Sequence, residues 1–224
     1  MYHPRHLKPT HHWLAATAVL LVLVAVVAGA RALQGSGPSG EETARNVAGT
    51  TTRQERAATA LRECTAVRER QAAPLSAAAR SLAQWKVHVG AMNQLVAGRI
   101  TLAQATAFWS RTRVGADRRA QEFRTADATT KPATACRRLS GTGPAVAACA
   151  RDVVRRAATL RAARTAIDTW QRHIRDMEML RMGRMSPARA TQMWLMNWRR
   201  GVRQLDVYDE AVRRSTHGPA CPTS

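Results

Sequence analysis

The chain contains few of the residues that build β-sheets. It has only two Phe and two Tyr in 224 residues, and Val is sparse outside an N-terminal run. Its apolar residues are mostly Ala, Leu and Val, together with six Trp. Because Ala and Leu favour helices whereas β-branched and aromatic residues favour strands, this composition predicts an all-α protein.

Motifs that carry catalytic or zinc chemistry are also missing. The sequence contains no G-x-S-x-G, P-loop, H-E-x-x-H or E-x-x-H pattern, which are typical of hydrolases, nucleotide-binding proteins and metal enzymes. Its four Cys form no C-x-x-C pair, so the usual zinc spacing is absent. We therefore expect a protein that is not an enzyme and that needs no cofactor.

Lysine is scarce as well, although the net charge is +20. The positive charge comes almost entirely from Arg, and Lys occurs only at Lys8, Lys86 and Lys131. Such a surface attracts nucleic acid, anionic lipid or acidic cell-wall polymers. A GC-rich genome also produces an Arg bias, so the partner depends on the compartment.

An uncharged, mostly apolar run from Trp13 to Ala30 predicts export. Its 18 residues would span about 27 Å as a helix, close to the thickness of a bilayer core. Arg5 and Lys8 precede the run, so the positive-inside rule places residues 1–12 in the cytoplasm, an anchor at 13–33 and the rest outside. The alternative is a cleaved signal peptide, with cleavage near Ala30 or Ala32.

Export under either interpretation makes nucleic acid an unlikely partner and leaves the membrane, anionic lipid, a wall polymer or an envelope protein. It also places the four Cys in an oxidising space, where an even number predicts disulfides.

An internal duplication is the strongest feature of the sequence. Shifting the chain by 85 residues aligns it with itself without a gap and gives about 21 identities over 73 positions. Four Cys, four of the six Trp and two His fall on equivalent positions. The matched pairs include Cys64/Cys149, Cys136/Cys221, Trp85/Trp170, His88/His173, Met92/Met177 and Trp109/Trp194.

Each repeat predicts a helical hairpin. First arms at roughly 64–97 and 145–182 carry apolar residues at helical spacing, and second arms follow at about 102–128 and 187–213. Pro74 has no counterpart in the second repeat and is expected to kink the first arm or to begin a new helix. The hairpin tips share a Gly-Arg pair followed by an N-cap residue: Gly98, Arg99 and Thr101 in the first repeat, and Gly183, Arg184 and Ser186 in the second.

Arms of nearly equal length bring the two Cys of each hairpin together, which predicts Cys64–Cys136 and Cys149–Cys221. Cross-repeat pairings stay possible, because stacking the hairpins gathers all four Cys at one end. Two hairpins that cover each other's apolar stripes would form an elongated antiparallel four-helix bundle. The expected segments are a flexible linker at 34–52, repeats at 53–136 and 145–221, an inter-repeat loop at 137–144 and a tail at 222–224.

The duplicated W-x2-H-x3-M motif is the one candidate binding site. His88 and Met92 share a helix face, as do His173 and Met177, and imidazole with thioether suits Cu(I). The four equivalent Trp at 85, 109, 170 and 194 would wall such a site. Packing inside the core is the commoner fate of a His on an apolar face, and we take it as the first interpretation. The leading hypothesis is a membrane-anchored structural or interaction module, with copper or other ligand binding as the alternative.

Overall fold

The structure is a computed structural model that describes residues 40–130 and 132–222, with side chains from residue 49. These residues are mostly helical and contain no strand. None of their helices is long and apolar enough to cross a membrane. The predicted anchor at 13–33 lies outside the described residues, as do the N-terminal segment before it and most of the tail.

Seven α-helices follow one another along the described chain. They are α1 (Gly40–Arg70), α2 (Ala72–Val96), α3 (Leu102–Arg113), α4 (Ala116–Ala128), α5 (Thr134–Leu139), α6 (Pro144–Arg181) and α7 (Pro187–His217), with a 3-10 turn at Ser140–Thr142 between α5 and α6. Helix α2 packs on α3 and α4, and α6 packs on α7. These two groups meet through α2, α4, α6 and α7.

The first arm of the first repeat is divided near Pro74, as the sequence predicts, whereas its second arm departs from the prediction. Helix α1 ends at Arg70 and α2 begins at Ala72, because Pro74 has no N–H to donate to the carbonyl of Arg70. The predicted second arm at 102–128 is not continuous. It breaks at Val114–Gly115, where Gly115 takes a φ of 69°. At this break, the side-chain amide of Gln84 donates to the carbonyl of Val114 at 2.8 Å.

Two predicted irregular segments are helical. Residues 40–52 of the expected linker belong to α1, and most of the expected loop at 137–144 lies in α5 and the 3-10 turn. In the second repeat, α7 continues to His217, four residues beyond the predicted end.

Both disulfides join the two Cys of the same repeat. Cys64 is bonded to Cys136 and Cys149 to Cys221, each across 72 residues. All four Cys belong to one buried cluster, which also contains Val67, Val146 and Val153. The near-equal arms of the two hairpins predict this pairing, and the stacking of the hairpins predicts that the four Cys gather at one end.

A buried carboxylate ties several segments together beside this cluster. Asp152 on α6 is 3% exposed and accepts from Arg68 Nε on α1 at 2.8 Å. It also accepts from the backbone N–H of Cys221 at 3.4 Å, and Arg155 lies 3.5 Å away. The charge of Asp152 is thus compensated by two Arg, as a buried carboxylate requires.

Candidate functional site

A second buried cluster contains the duplicated Trp and His residues. The indoles of Trp85 and Trp170 stack with centroids 4.6 Å apart, and neither is more than 1% exposed. Beside them, His88 and His173 are each 2% exposed, and their Nε2 atoms lie 3.0 Å apart. Farther out, Trp109 and Trp194 meet edge to face at 4.7 Å. In all three pairs, a residue contacts its own equivalent in the other repeat, which is the contact pattern of a pseudo-two-fold axis.

The hydrogen bonds of Thr112 determine which nitrogens of the paired His carry protons. Thr112 Oγ1 lies 2.8 Å from the carbonyl oxygen of Phe108 and so donates its proton there. It therefore accepts from Nδ1–H of His88 at 2.8 Å. Neutral His88 then has a lone pair on Nε2, which accepts the Nε2–H of His173.

This chain of hydrogen bonds leaves a bare lone pair on Nδ1 of His173. That atom is buried and has no hydrogen-bond partner. Asn197 stands where Thr112 stands in the first repeat, but its amide donates instead to Asp176 Oδ2 at 3.0 Å. The first repeat has Ala91 in place of Asp176. The repeats are therefore alike at the His and different in what surrounds it.

Burial keeps both imidazoles neutral. It lowers the pKa of His173 from 6.5 to about 4. Burial, and then the neighbouring His173, lower the pKa of His88 to about 2. A protonated ring in this apolar cluster would lose its hydration and gain no anionic partner among the described residues in exchange, so the neutral form is favoured.

The predicted metal ligands come together only in part. The two His meet, whereas Met92 is buried on α2 and Met177 is half-buried beside the core. Met177 lines the same cavity as His88 and His173, and Met92 is not among the residues that line it. Within residues 40–130 and 132–222, no group of three or more His, Cys, Asp or Glu could hold a metal ion.

The hairpin tips have the same backbone geometry. Gly98 and Gly183 take φ values of 67° and 68°. After each Gly, an Arg amide donates back to the last turn, Arg99 to Gln94 at 2.8 Å and Arg184 to Met179 at 2.9 Å. This is the Schellman ending of a helix. The side chains of Thr101 and Ser186 then cap α3 and α7.

A cavity of about 290 Å³ opens next to the paired His. Its mostly apolar wall includes Trp109, Met177 and Trp194, and its polar lining includes His173 and Asp176. The roles of Thr112 and Asn197 do not follow from the sequence alone. These two residues occupy equivalent positions in the repeats and differ in type, which is the one sign of them in the sequence.

The fold and site define an all-helical, disulfide-linked domain with a buried pair of equivalent His. No protein-family model, curated protein or solved structure matches the chain.

Proposed function

We propose that the chain is a non-enzymatic, single-pass membrane protein whose helical domain lies outside the cytoplasm and binds an envelope protein. In this proposal, Trp13–Ala30 tethers a bundle of two tandem disulfide-closed hairpins through the Cys end. Two disulfides support an oxidising compartment, because such bonds do not persist in a reducing cytosol.

The observation that carries the proposal is the exposure of large apolar side chains at both hairpin tips. Val96 and Leu102 flank the first tip, and each is 62% exposed. Leu180 and Met182 flank the second and are 40% and 43% exposed. We call these four residues, with Arg99 and Arg184, the tip surface. Exposed apolar patches mark interaction sites in soluble domains, and Arg is enriched in such sites.

Photo-crosslinking in the native cell tests this proposal. A photoreactive residue is placed at Leu102 or at Met182 of the full chain, and at Val207 as the matched control. Val207 is 58% exposed but lies in the body of α7, about 30 Å along the helix from its first residue, Pro187. We expect a discrete adduct from the two tip positions and none from Val207. Equal labelling at all three positions would contradict a tip-directed interaction.

Anionic lipid or wall polymer is the competing partner for so basic a domain. Purified protein is therefore mixed with anionic vesicles at low and high salt. Binding driven by Arg charge falls steeply as salt rises, whereas the protein adduct from the tip surface persists. Tip adducts that vanish in high salt together with vesicle binding would favour the lipid or polymer instead.

Cu(I) binding by the paired His is the second candidate. It is supported by two neutral imidazoles that meet in the core and by Met177 in the adjoining cavity. Cu(I) would have to replace the proton between the two Nε2 atoms and move the rings apart. Competition with the Cu(I) chelator bathocuproine tests it. We expect copper retention by the unmodified chain and loss in the double variant H88Q/H173Q. No retention by the unmodified chain would exclude the copper site.

A further inference from the structure

Two of the side chains that line the cavity beside the paired His carry hydrogen-bond acceptors. His173 lines the cavity, and its Nδ1 is a buried lone pair without a partner. Asp176 contributes its carboxylate, of which Oδ2 is used by Asn197. Both groups accept hydrogen bonds and neither donates. A ligand that satisfies them must therefore carry N–H or O–H groups.

The carboxylate of Asp176 is unusual in so basic a chain. The protein has 35 Lys and Arg against 15 Asp and Glu, yet no salt bridge to Asp176 occurs among the described residues. The described lining of the cavity includes no Lys or Arg. Among the described residues, the half-buried carboxylate of Asp176 thus has an amide partner but no cation beside a small, mostly apolar space. Such a space favours a positively charged ligand over a neutral one.

Aromatic and apolar side chains complete the cavity. Trp109 and Trp194 line it and stand edge to face, and indole faces attract organic cations. Met177 and Leu180 add apolar surface that suits a hydrocarbon body. The volume of about 290 Å³ lies near the lower end of the range for small-molecule sites.

We propose that this cavity binds a small primary ammonium ion with an apolar body. The ammonium group donates to the Asp176 carboxylate and to Nδ1 of His173, and the hydrocarbon part lies against the two indoles. The site belongs to the second repeat alone, because Ala91 replaces Asp176 in the first and Thr112 already occupies Nδ1 of His88. The proposal goes beyond the tip-directed interaction and does not depend on it.

Calorimetric titration of the full chain in a neutral detergent tests the proposal. The three probes are 2-phenylethylammonium, its neutral analogue 2-phenylethanol and the anion 3-phenylpropanoate, each also titrated into micelles without protein. We expect saturable binding of the ammonium, about tenfold or more tighter than the neutral analogue, since a charge-assisted hydrogen bond replaces a neutral one. We expect no binding of the anion.

Asp176→Asn keeps the shape of the side chain and removes its charge. We expect it to reduce ammonium affinity to that of the neutral probe. Asp206→Asn is the control, because Asp206 is exposed on α7 and does not line the cavity. Asp176→Ala, which copies Ala91 of the first repeat, serves as a second variant if the Asn variant does not fold. The proposal is overturned if the unmodified chain does not bind the ammonium or binds the ammonium and the neutral alcohol equally well. It is also overturned if a variant without Asp176 binds the ammonium as tightly as the unmodified chain.

Discussion

At the scale of single residues, His88 and His173 depend on the protein for every hydrogen bond, because almost no water reaches them. Three of their four ring nitrogens have partners in Thr112 or in each other, and Nδ1 of His173 has none. The His173 ring, whose Nδ1 has no hydrogen-bond donor, is held in position by packing against Trp170 and Trp85. These contacts explain why the pair stays neutral and ordered.

The stability of the domain should therefore fall as pH falls through the His range. Unfolded His binds a proton near pH 6.5, whereas the folded pKa is about 4 for His173 and about 2 for His88. The unfolded state thus holds more protons below pH 6.5, and the stability present above pH 6.5 is lost down to about pH 4 for His173 and further, to about pH 2, for His88. With both rings involved, the slope approaches about 3 kcal/mol per pH unit. Urea unfolding at several pH values measures it.

The double variant H88Q/H173Q isolates this effect. Gln cannot titrate, so we expect a lower stability at pH 7 but a flatter dependence between pH 6.5 and 4. His217→Gln is the control, because His217 is exposed at the end of α7. An unchanged slope in the double variant would show that other groups cause the acid sensitivity.

Gly201 is required where α7 crosses the stacked indoles. A Cβ atom at this position would overlap Cζ2 of Trp85, which is itself held against Trp170. We expect Gly201→Ala to lower the free energy of unfolding by about 1 to 3 kcal/mol, the usual cost of overpacking a core.

Gly90→Ala is the matched comparison for Gly201→Ala in thermal or urea unfolding. Gly90 also lies within a helix, but a Cβ there would meet nothing within 4 Å. The substitution should stabilise the domain by up to about 1 kcal/mol through helix propensity. If both variants shift stability in the same direction, close approach to Trp85 is not the reason for Gly201.

At the scale of elements, the two hairpin tips are built alike, and each depends on one left-handed Gly. At Gly183, φ is 68°, a region that costs an L-residue about 1 to 2 kcal/mol. We expect Gly183→Ala to lower the free energy of unfolding by about 1 kcal/mol. Gly183→Asn should cost less, because Asn tolerates this conformation.

Gly98 offers the same comparison in the first repeat, with φ of 67°. Ala should again cost more than Asn, as measured by chemical denaturation. An Ala variant as stable as the parent at either tip would show that the turn rearranges without loss.

The helix break at Val114–Gly115 shows what sequence periodicity does not predict. The break at Val114–Gly115 interrupts an arm whose counterpart in α7 runs on through Arg199 and Arg200. Gly115 alone does not predict it, because isolated Gly residues also occur inside helices such as α2. The carbonyl of Val114 is satisfied by Gln84, 30 residues earlier. This contact is tertiary and leaves no periodic pattern.

At the scale of the whole molecule, the two disulfides each close a loop of the same length. The sequence separation is 72 in both, so the entropy model assigns each about 4 kcal/mol of stabilisation. We expect C64A/C136A and C149A/C221A to reduce the free energy of unfolding by similar amounts near this value. Chemical denaturation of the oxidised protein measures both.

Peptide mapping without reduction checks the pairing directly. The expected cross-linked peptides join Cys64 to Cys136 and Cys149 to Cys221. A peptide joining Cys64 to Cys221 would contradict the two closed hairpins. A much smaller loss in one double variant than in the other would indicate residual structure or strain specific to that repeat.

The sequence by itself determined the helical class and the equivalence of His88 with His173, and it favoured the pairing of Cys within each repeat. Composition, chain length between Cys and internal repetition are local or one-dimensional properties, so they can be read without coordinates. Only the tertiary structure decided what each equivalent residue meets. Thr112 reaches His88 from another helix, while Asn197 turns to Asp176 and leaves Nδ1 of His173 bare. Such differences depend on contacts between side chains that are far apart in the sequence. These contacts give two repeats of one sequence pattern different chemistry.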